Sequence, residues 1–90
     1  MSAVVDNAEK GRFEMPVEGH FAFVTYRRSP GSIALLHAEV PKELEGRGVG
    51  SRLARGTLDA VRKEGLKVVP RCSFIRAFID RNAEYKDMLA

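Results

Sequence analysis

The segment Glu45–Ser51, Glu-Gly-Arg-Gly-Val-Gly-Ser, carries glycine at three alternate positions and constrains the fold more than any other part of the chain. Residues Ser32–Val40 before it are apolar with β-branched members and stop at Pro41, which is typical of a buried strand. Residues Val49–Glu64 after it have helical periodicity, and Gly65 ends the pattern. The glycines therefore lead into a helix N-terminus, where unpaired amides and the helix dipole favour an anion. The sequence predicts a phosphate-binding loop.

The size and composition of the chain exclude several classes of protein. Ninety residues suffice for one hydrophobic core, so we expect residues 1–90 to form a single domain, in which residues 1–9 are either a flexible N-terminus or contribute a short strand at Val4–Val5. Cys72 is the only cysteine, which excludes an internal disulfide, and no Cys/His spacing supplies a metal site. Neither a signal peptide nor an apolar run of roughly 20 residues is present, so we expect a cytoplasmic protein with no membrane partner. A net charge of +3 suits an anionic small ligand.

The periodicity along the chain predicts strands first and then strands alternating with helices. The predicted elements of the first half are strands at Val4–Val5, Gly11–Met15 and Phe21–Arg28, a turn marked by Pro16, Glu18 and Gly19, and a tight turn at Ser29–Ser32. Those of the second half are the helix Val49–Glu64, the strand Leu66–Val69 ended by Pro70, and a last helix, carrying Phe74, Ile75, Phe78 and Ile79, that Ser73 caps. The predicted fold class is α/β (α+β), with antiparallel N-terminal strands leading into a strand-helix-strand-helix unit.

Two prolines indicate a gap in the predicted sheet. A right-handed crossover makes Ile33–Val40 and Leu66–Val69 parallel, and Pro41 and Pro70 then fall just past the same ends of these strands. Each proline removes a backbone donor, so pairing should stop and the strands splay, although each can equally be a simple terminator. Ligands bind at such strand ends, and a thin ligand arm fits this gap.

Two common phosphate loops do not fit these residues. A nucleoside triphosphate P-loop needs Lys and then Ser or Thr after its last glycine, whereas Gly50 is followed by Ser51 and Arg52. A dinucleotide site needs Gly-x-Gly-x-x-Gly and an acidic residue ending the next strand, whereas that strand runs into Pro70 and Arg71. The P-loop is therefore rejected, and the residues and the chain length argue against a dinucleotide site.

The segment Glu45–Leu53, with the helix and strand after it, resembles the acyl-CoA-binding motif of the GCN5-related N-acetyltransferases, Gln/Arg-x-x-Gly-x-Gly/Ala. Gly48 and Gly50 match the motif, whereas Glu45 stands where the family has Gln or Arg; its carboxylate would repel phosphate, and Arg47 is available to compensate. The runs HAEVPKELEGRGVG, GLKVVPRCSF and IDRNAEY resemble more closely the small subfamily of about 90 residues. That subfamily is expected to have His-Pro-Glu-Tyr near its end, where this chain has Asn-Ala-Glu-Tyr.

The resemblance implies acetyl-CoA as co-substrate and no metal. The pyrophosphate would bind the loop amides, and the pantetheine would pair with the main chain in the gap. The cofactor-binding residues implied are Ala38, Val40, Gly46, Arg47, Gly48, Val49, Gly50 and Ser51. The basic helix face formed by Arg52, Arg55, Arg62 and Lys63 is available to the remaining phosphate, although such a face is more often simply solvated.

Four residues are candidates for catalysis. His37 and Glu39 lie two apart on a strand and so share a face near its carboxyl end, where either can act as general base, and Glu39 is preferred. The alternative is that His37 is a half-buried histidine with its hydrogen bonds satisfied and that Glu39 simply faces solvent. Cys72 precedes a helix and follows Arg71, and both neighbours favour a thiolate that can carry the acyl group as an intermediate. The alternative is that Cys72 is a small, buried apolar side chain. Tyr85 can protonate the departing CoA thiolate, as a tyrosine does in many family members, or pack in the core.

Three functions remain open on the sequence. The first is acetyl transfer from acetyl-CoA to an amine of unknown identity, small molecule or protein, by a monomer or homodimer. The second is a noncatalytic acyl-CoA-binding or sensing module. The third is a nucleic-acid surface built from alternating Arg and aromatic residues of the last helix, but Phe74 and Phe78 are expected to be buried there, which argues against nucleic acid.

Overall fold

The computed structural model describes residues 4–90, which form one five-stranded sheet and two α-helices. The strands are β1 Val5–Asn7, β2 Arg12–Val17, β3 His20–Ser29, β4 Ser32–Glu39 and β5 Lys67–Pro70, and the helices are α1 Val49–Lys63 and α2 Ser73–Arg81. The strands lie in sequence order, antiparallel from β1 to β4 and parallel between β4 and β5. The predicted fold class is therefore confirmed, including the parallel pair.

The hairpin between β2 and β3 differs from its prediction at one proline. Glu18 and Gly19 form the turn with φ of 50° and 81°, as the turns favoured in two-residue hairpins require. Pro16 was expected to mark this turn, but it lies inside β2 opposite Phe21. A proline is tolerated there because β1 pairs with β2 only from Arg12 to Glu14, so no described strand needs the amide that Pro16 lacks.

Both helices pack on the same face of the sheet. The buried strand residues alternate and share a core cluster with the buried faces of α1 and α2: Phe13, Met15, Ala22, Val24, Ile33, Leu35 and Val68 from the strands, and Val49, Leu53, Ala54, Leu58, Val61, Ile75, Phe78 and Ile79 from the helices. Strand residues between them, such as Ala34 and Val69, project from the opposite face. In the part of the chain that the structure describes, no helix covers that face.

The sheet opens at the carboxyl end of β4. Tyr26 pairs with Leu35 but Thr25 pairs with His37, so Leu36 is the extra residue of a β-bulge. Pairing between β4 and β5 stops at Leu35 and Pro70, where the carbonyl of Leu35 accepts the amides of Arg71 and Cys72 at 3.0 and 2.9 Å. The predicted end of pairing at Pro70 is confirmed, whereas Pro41 lies beyond the end of β4 and plays no part in it. β4 continues beyond β5 with its edge unpaired on that side, and this open end of the pair is called the splay below.

The C-terminal residues form a clasp that the sequence did not predict. A 3₁₀ helix, Ala83–Met88, packs against α1, and the amide of Ala90 then donates to the carbonyl of Val68 at 2.9 Å. Arg62 of α1 binds Asp87 and the carbonyl of Glu84 in this clasp. The side chains of Tyr85 and Met88 are buried and close the core at this end.

The cap of α2 was predicted at Ser73, and this prediction is wrong. Cys72 is the N-cap and Ser73 is already helical, with no side-chain capping bond. The cause is the bond from the Cys72 amide to Leu35, which turns the chain one residue earlier. No helix within residues 4–90 is long and apolar enough to cross a membrane.

Candidate functional site

The glycine loop presents unpaired amides at the start of α1. It follows a 3₁₀ turn at Lys42–Leu44, whose buried Leu44 anchors it to the core. Gly46 and Gly48 have φ of 78° and 74°, a conformation that other residues adopt only with strain. The first helical amide with a partner is that of Arg52, which donates to the Gly48 carbonyl at 3.2 Å. The amides of Val49, Gly50 and Ser51 precede it and face outward, as at any helix N-terminus.

Gly50 is required for a different reason. It lies inside the helix, and a Cβ placed on it would come within 2.9 Å of Cζ of Phe74. Phe74 belongs to the first turn of α2, so the beginnings of the two helices are in contact. The side chain of Phe74 was expected to be buried, but it is 37% exposed because it covers Gly50 rather than entering the core.

The N-terminus of α2 lies at the point where β4 and β5 diverge. Its first bonded amide is that of Arg76, which donates to the Cys72 carbonyl at 3.0 Å. Cys72 itself is buried and belongs to the core cluster. Two helix N-termini, each with free amides, therefore border the splay, and their dipoles add to a positive field there.

Arg47 of the glycine loop is already paired. Its guanidinium binds both carboxylate oxygens of Glu18, in the turn between β2 and β3. The hydrogen bond from Arg47 is the main reason that the pKa of Glu18 lies below its ordinary range, and Glu18 raises the pKa of Arg47. The sequence did not reveal this partner: Glu18-Gly19 signals a turn, but no local pattern places that turn beside a loop 29 residues away.

The basic face of α1 is only partly free. Arg55 binds Glu84, Asn82 and the Tyr85 hydroxyl, and Arg62 binds Asp87, so both hold the C-terminal clasp. Arg52, next to the loop, makes no ion pair among the residues described and remains available to an anion.

His37 and Glu39 form a pair on the uncovered face of β4. Nε2 of His37 lies 3.3 Å from Oε1 of Glu39, and the side chains are 62% and 59% exposed. The hydroxyl of Thr25 on β3 donates to the His37 carbonyl at 3.5 Å. Both candidates for the general base therefore stand beyond the last β4–β5 pair, in contact with solvent.

Tyr85 lies away from the splay, against the middle of α1. Its hydroxyl donates to Oδ1 of Asp59 at 2.7 Å and accepts from Arg55 at 3.2 Å, and the residue is 4% exposed. Burial, followed by the bond to Asp59, raises the pKa of the phenol. The structure thus brings together the glycine loop, the end of β4 and Cys72, but not Tyr85.

This arrangement has the properties of a site for an elongated anion. The helix amides can hold phosphate oxygens, and the unpaired edge of β4 beyond Leu35 can form main-chain hydrogen bonds with an extended amide-containing arm. No group of three or more His, Cys, Asp or Glu within residues 4–90 is arranged to hold a metal ion.

Comparison with known proteins identifies relatives of this architecture. The sequence model of a family described as GCN5-related N-acetyl-transferase matches residues 12–88. Protein NATD1 from Homo sapiens and from Bos taurus is 38% identical over 50 residues, 56% of this chain and 44% of each relative. The chain thus spans less than half the length of these curated relatives. The NMR solution structure of a GCN5-like protein from Staphylococcus aureus superposes with a TM-score of 0.72 at 26% identity, covering 100% of this chain and 91% of that one.

Proposed function

The chain belongs to the GCN5-related N-acetyltransferase family, and on this premise we propose that it binds acetyl-CoA and transfers the acetyl group to an amine. The observation that carries the proposal is the position of the unpaired loop amides beside the splay. The gap begins at Leu35 and Pro70, and the N-termini of α1 and α2 both border it. A pyrophosphate with a long amide-containing arm is the ligand that this geometry suits.

The phosphates and the arm would occupy different parts of the site. The loop residues proposed to hold the pyrophosphate are Gly46, Arg47, Gly48, Val49, Gly50 and Ser51. Ala38 and Val40 would pair through their main chains with the pantetheine. The Arg47 guanidinium would exchange Glu18 for phosphate, which removes the need for Gln or Arg at position 45. The exposure of the Arg47–Glu18 pair supports such an exchange, because solvated ion pairs contribute little net stability.

Acetyl-CoA, when bound, supplies the acetyl group as a reactive thioester. Glu39 is proposed to accept one proton from the acceptor ammonium, directly or through water, so that the neutral amine nitrogen can form a bond to the acetyl carbon. The nitrogen then loses its second proton to solvent as the carbon–sulfur bond breaks, which leaves a neutral amide. His37 would orient the Glu39 carboxylate through their 3.3 Å contact. Cys72 is proposed as a buried residue that shapes the gap, and the proton for the CoA sulfur would come from solvent rather than from Tyr85, whose hydroxyl is bonded to Asp59.

Binding is tested by calorimetric titration of acetyl-CoA and CoA into the wild type and two glycine variants. Gly48→Glu places a carboxylate beside the loop amides, and Gly65→Glu imposes the same backbone strain at the other end of α1, since the φ values are 74° and 72° and both sites are open. We expect Gly48→Glu to abolish binding and Gly65→Glu to retain it. Equal loss in both variants, or no binding by the wild type, would contradict the proposal.

The alternative function is a noncatalytic acyl-CoA-binding module, which the solvent exposure of His37 and Glu39 favours. Release of free CoA in the presence of amine acceptors separates the two functions. A transferase releases CoA at a rate that depends on the acceptor and falls in Glu39→Gln, whereas a binding module keeps its affinity without turnover.

A further inference from the structure

The uncovered face of the sheet carries a groove of about 450 Å³. Its floor is apolar and consists of Ala34, Leu36 and Val69, and Ser32 lies at one side. Leu36 is the bulge residue, and its side chain is 39% exposed on this face. The groove is therefore large enough for a small molecule and can bury an apolar group.

Two arginines border this floor, and neither is neutralised. Arg27 of β3 and Arg71 after β5 line the groove, and no carboxylate lines it with them. Their guanidinium groups make no ion pair or hydrogen bond within residues 4–90. Arg12, Arg28, Arg47, Arg55 and Arg62 each bind a carboxylate. Arg52, Arg76 and Arg81 also make no ion pair within residues 4–90, but they do not line the groove. Two free guanidinium groups beside an apolar floor favour an anion that accepts paired hydrogen bonds, a carboxylate or a phosphate.

The groove leads to the splay. Leu36 and Arg71 are the first residues beyond the last β4–β5 pair, Leu35 and Pro70, so one end of the groove opens where the thioester would lie. The side chains of His37 and Glu39 follow on the same face of β4. A molecule in the groove would thus reach the acetyl group from the face opposite α1 and α2. The loop amides lie on the helix side of the splay.

We propose that this groove binds the acceptor and that the acceptor is a small primary amine carrying an anionic group, a carboxylate or a phosphate. The anionic group binds Arg27 and Arg71, an apolar portion packs on Leu36 and Val69, and the amine points to the splay near Glu39. This inference rests on the proposed acetyl transfer and adds the class of acceptor to it.

The test is an NMR titration of the ¹⁵N-labelled full chain, carried out without acetyl-CoA so that it does not depend on thioester binding. The probes are glycyl-leucine, glycyl-leucine with its C-terminal carboxylate replaced by an amide, and aminoethylphosphonate, which represents an amine with a phosphate-like group. Glycyl-leucine should shift the amide signals of Ala34, Leu36 and Val69, whereas its amide should bind more weakly. The relative strength of the two anionic probes tells carboxylate from phosphate.

Matched variants assign the effect to the two guanidinium groups. Arg27→Gln and Arg71→Gln should each weaken the binding of glycyl-leucine roughly three- to tenfold, as expected for charge-assisted hydrogen bonds in a partly solvated site. Neither variant should change the binding of the amide. Arg81→Gln, an exposed residue in the last turn of α2, is the control and should have no effect.

Three results would overturn the inference. They are equal binding of the acid and the amide, an equal effect of Arg81→Gln, and groove signals that shift with protein concentration alone, which would mean that a second copy of the chain covers the face. Failure of acetyl-CoA to bind in calorimetry would instead refute the proposed function. The NMR result for the groove would remain interpretable, because that titration is carried out without acetyl-CoA.

Discussion

At the scale of single residues, neighbouring glycines in the loop are required for different physical reasons. Gly48 adopts a left-handed conformation with open space around it, so its restriction is in the backbone. Gly50 has ordinary helical geometry, and its restriction is the Phe74 ring. The motif is therefore a backbone requirement at one position and a packing requirement two residues later.

This difference predicts the outcome of a double-mutant cycle between Gly50→Ala and Phe74→Ala. With Phe74 removed, Gly50→Ala should raise the free energy of unfolding by about 0.5 kcal/mol, because alanine favours the helix. With Phe74 present, the new methyl group displaces the ring, and the gain should vanish or reverse. Urea denaturation of the four proteins measures the effect of Gly50→Ala on the free energy of unfolding with and without the Phe74 ring. An equal gain in the two backgrounds would show that the contact between position 50 and Phe74 does not affect stability.

The sequence could reveal Gly48 and Gly50 but not the contact between Gly50 and Phe74. The alternation of His37 and Glu39 predicted correctly that they share a face, because strand periodicity is local. The pairing of Arg47 with Glu18 and the bulge at Leu36 arise from contacts between strands, and nothing near these residues in the sequence encodes them. Phe74 has helical spacing relative to Phe78, yet it covers Gly50 instead of joining the core.

At the scale of elements, the C-terminal clasp fixes α1 against the edge of the sheet. Arg55 and Arg62 bind it from one side of the helix, and the hydroxyl of Tyr85 binds Asp59. Periodicity predicted the strands and both helices because each has a regular apolar face. It did not predict the clasp, because a short 3₁₀ segment has no such pattern.

Tyr85→Phe tests whether the clasp is structural. The variant should lose about 1 kcal/mol of unfolding free energy, since a partly buried hydrogen bond from the hydroxyl to the exposed carboxylate of Asp59 is removed. Acetyl-CoA affinity and CoA release should be unchanged. Tyr26→Phe, which removes the bond from a hydroxyl to Asp6, is a matched control. A loss of turnover in Tyr85→Phe without a loss of stability would instead make Tyr85 the general acid.

At the scale of the whole molecule, the two faces of the sheet differ in what they carry. One face holds the core with both helices, whose N-termini border the splay, and the other presents the groove with Arg27 and Arg71. The splay joins the two faces at the end of β4. An acyl donor and an acceptor can therefore approach the same gap from opposite sides.

Binding of acetyl-CoA at the glycine loop is tested by an NMR titration of the full chain with acetyl-CoA, in which the backbone amide signals are followed. The signals of Arg47–Ser51, Ala38 and Phe74 should shift with a common dissociation constant, while those of Gly65 and Tyr85 should not. Shifts confined to the clasp or to the C-terminal end of α1 would show that acetyl-CoA binds elsewhere, and the absence of any shift at millimolar ligand would show that it does not bind.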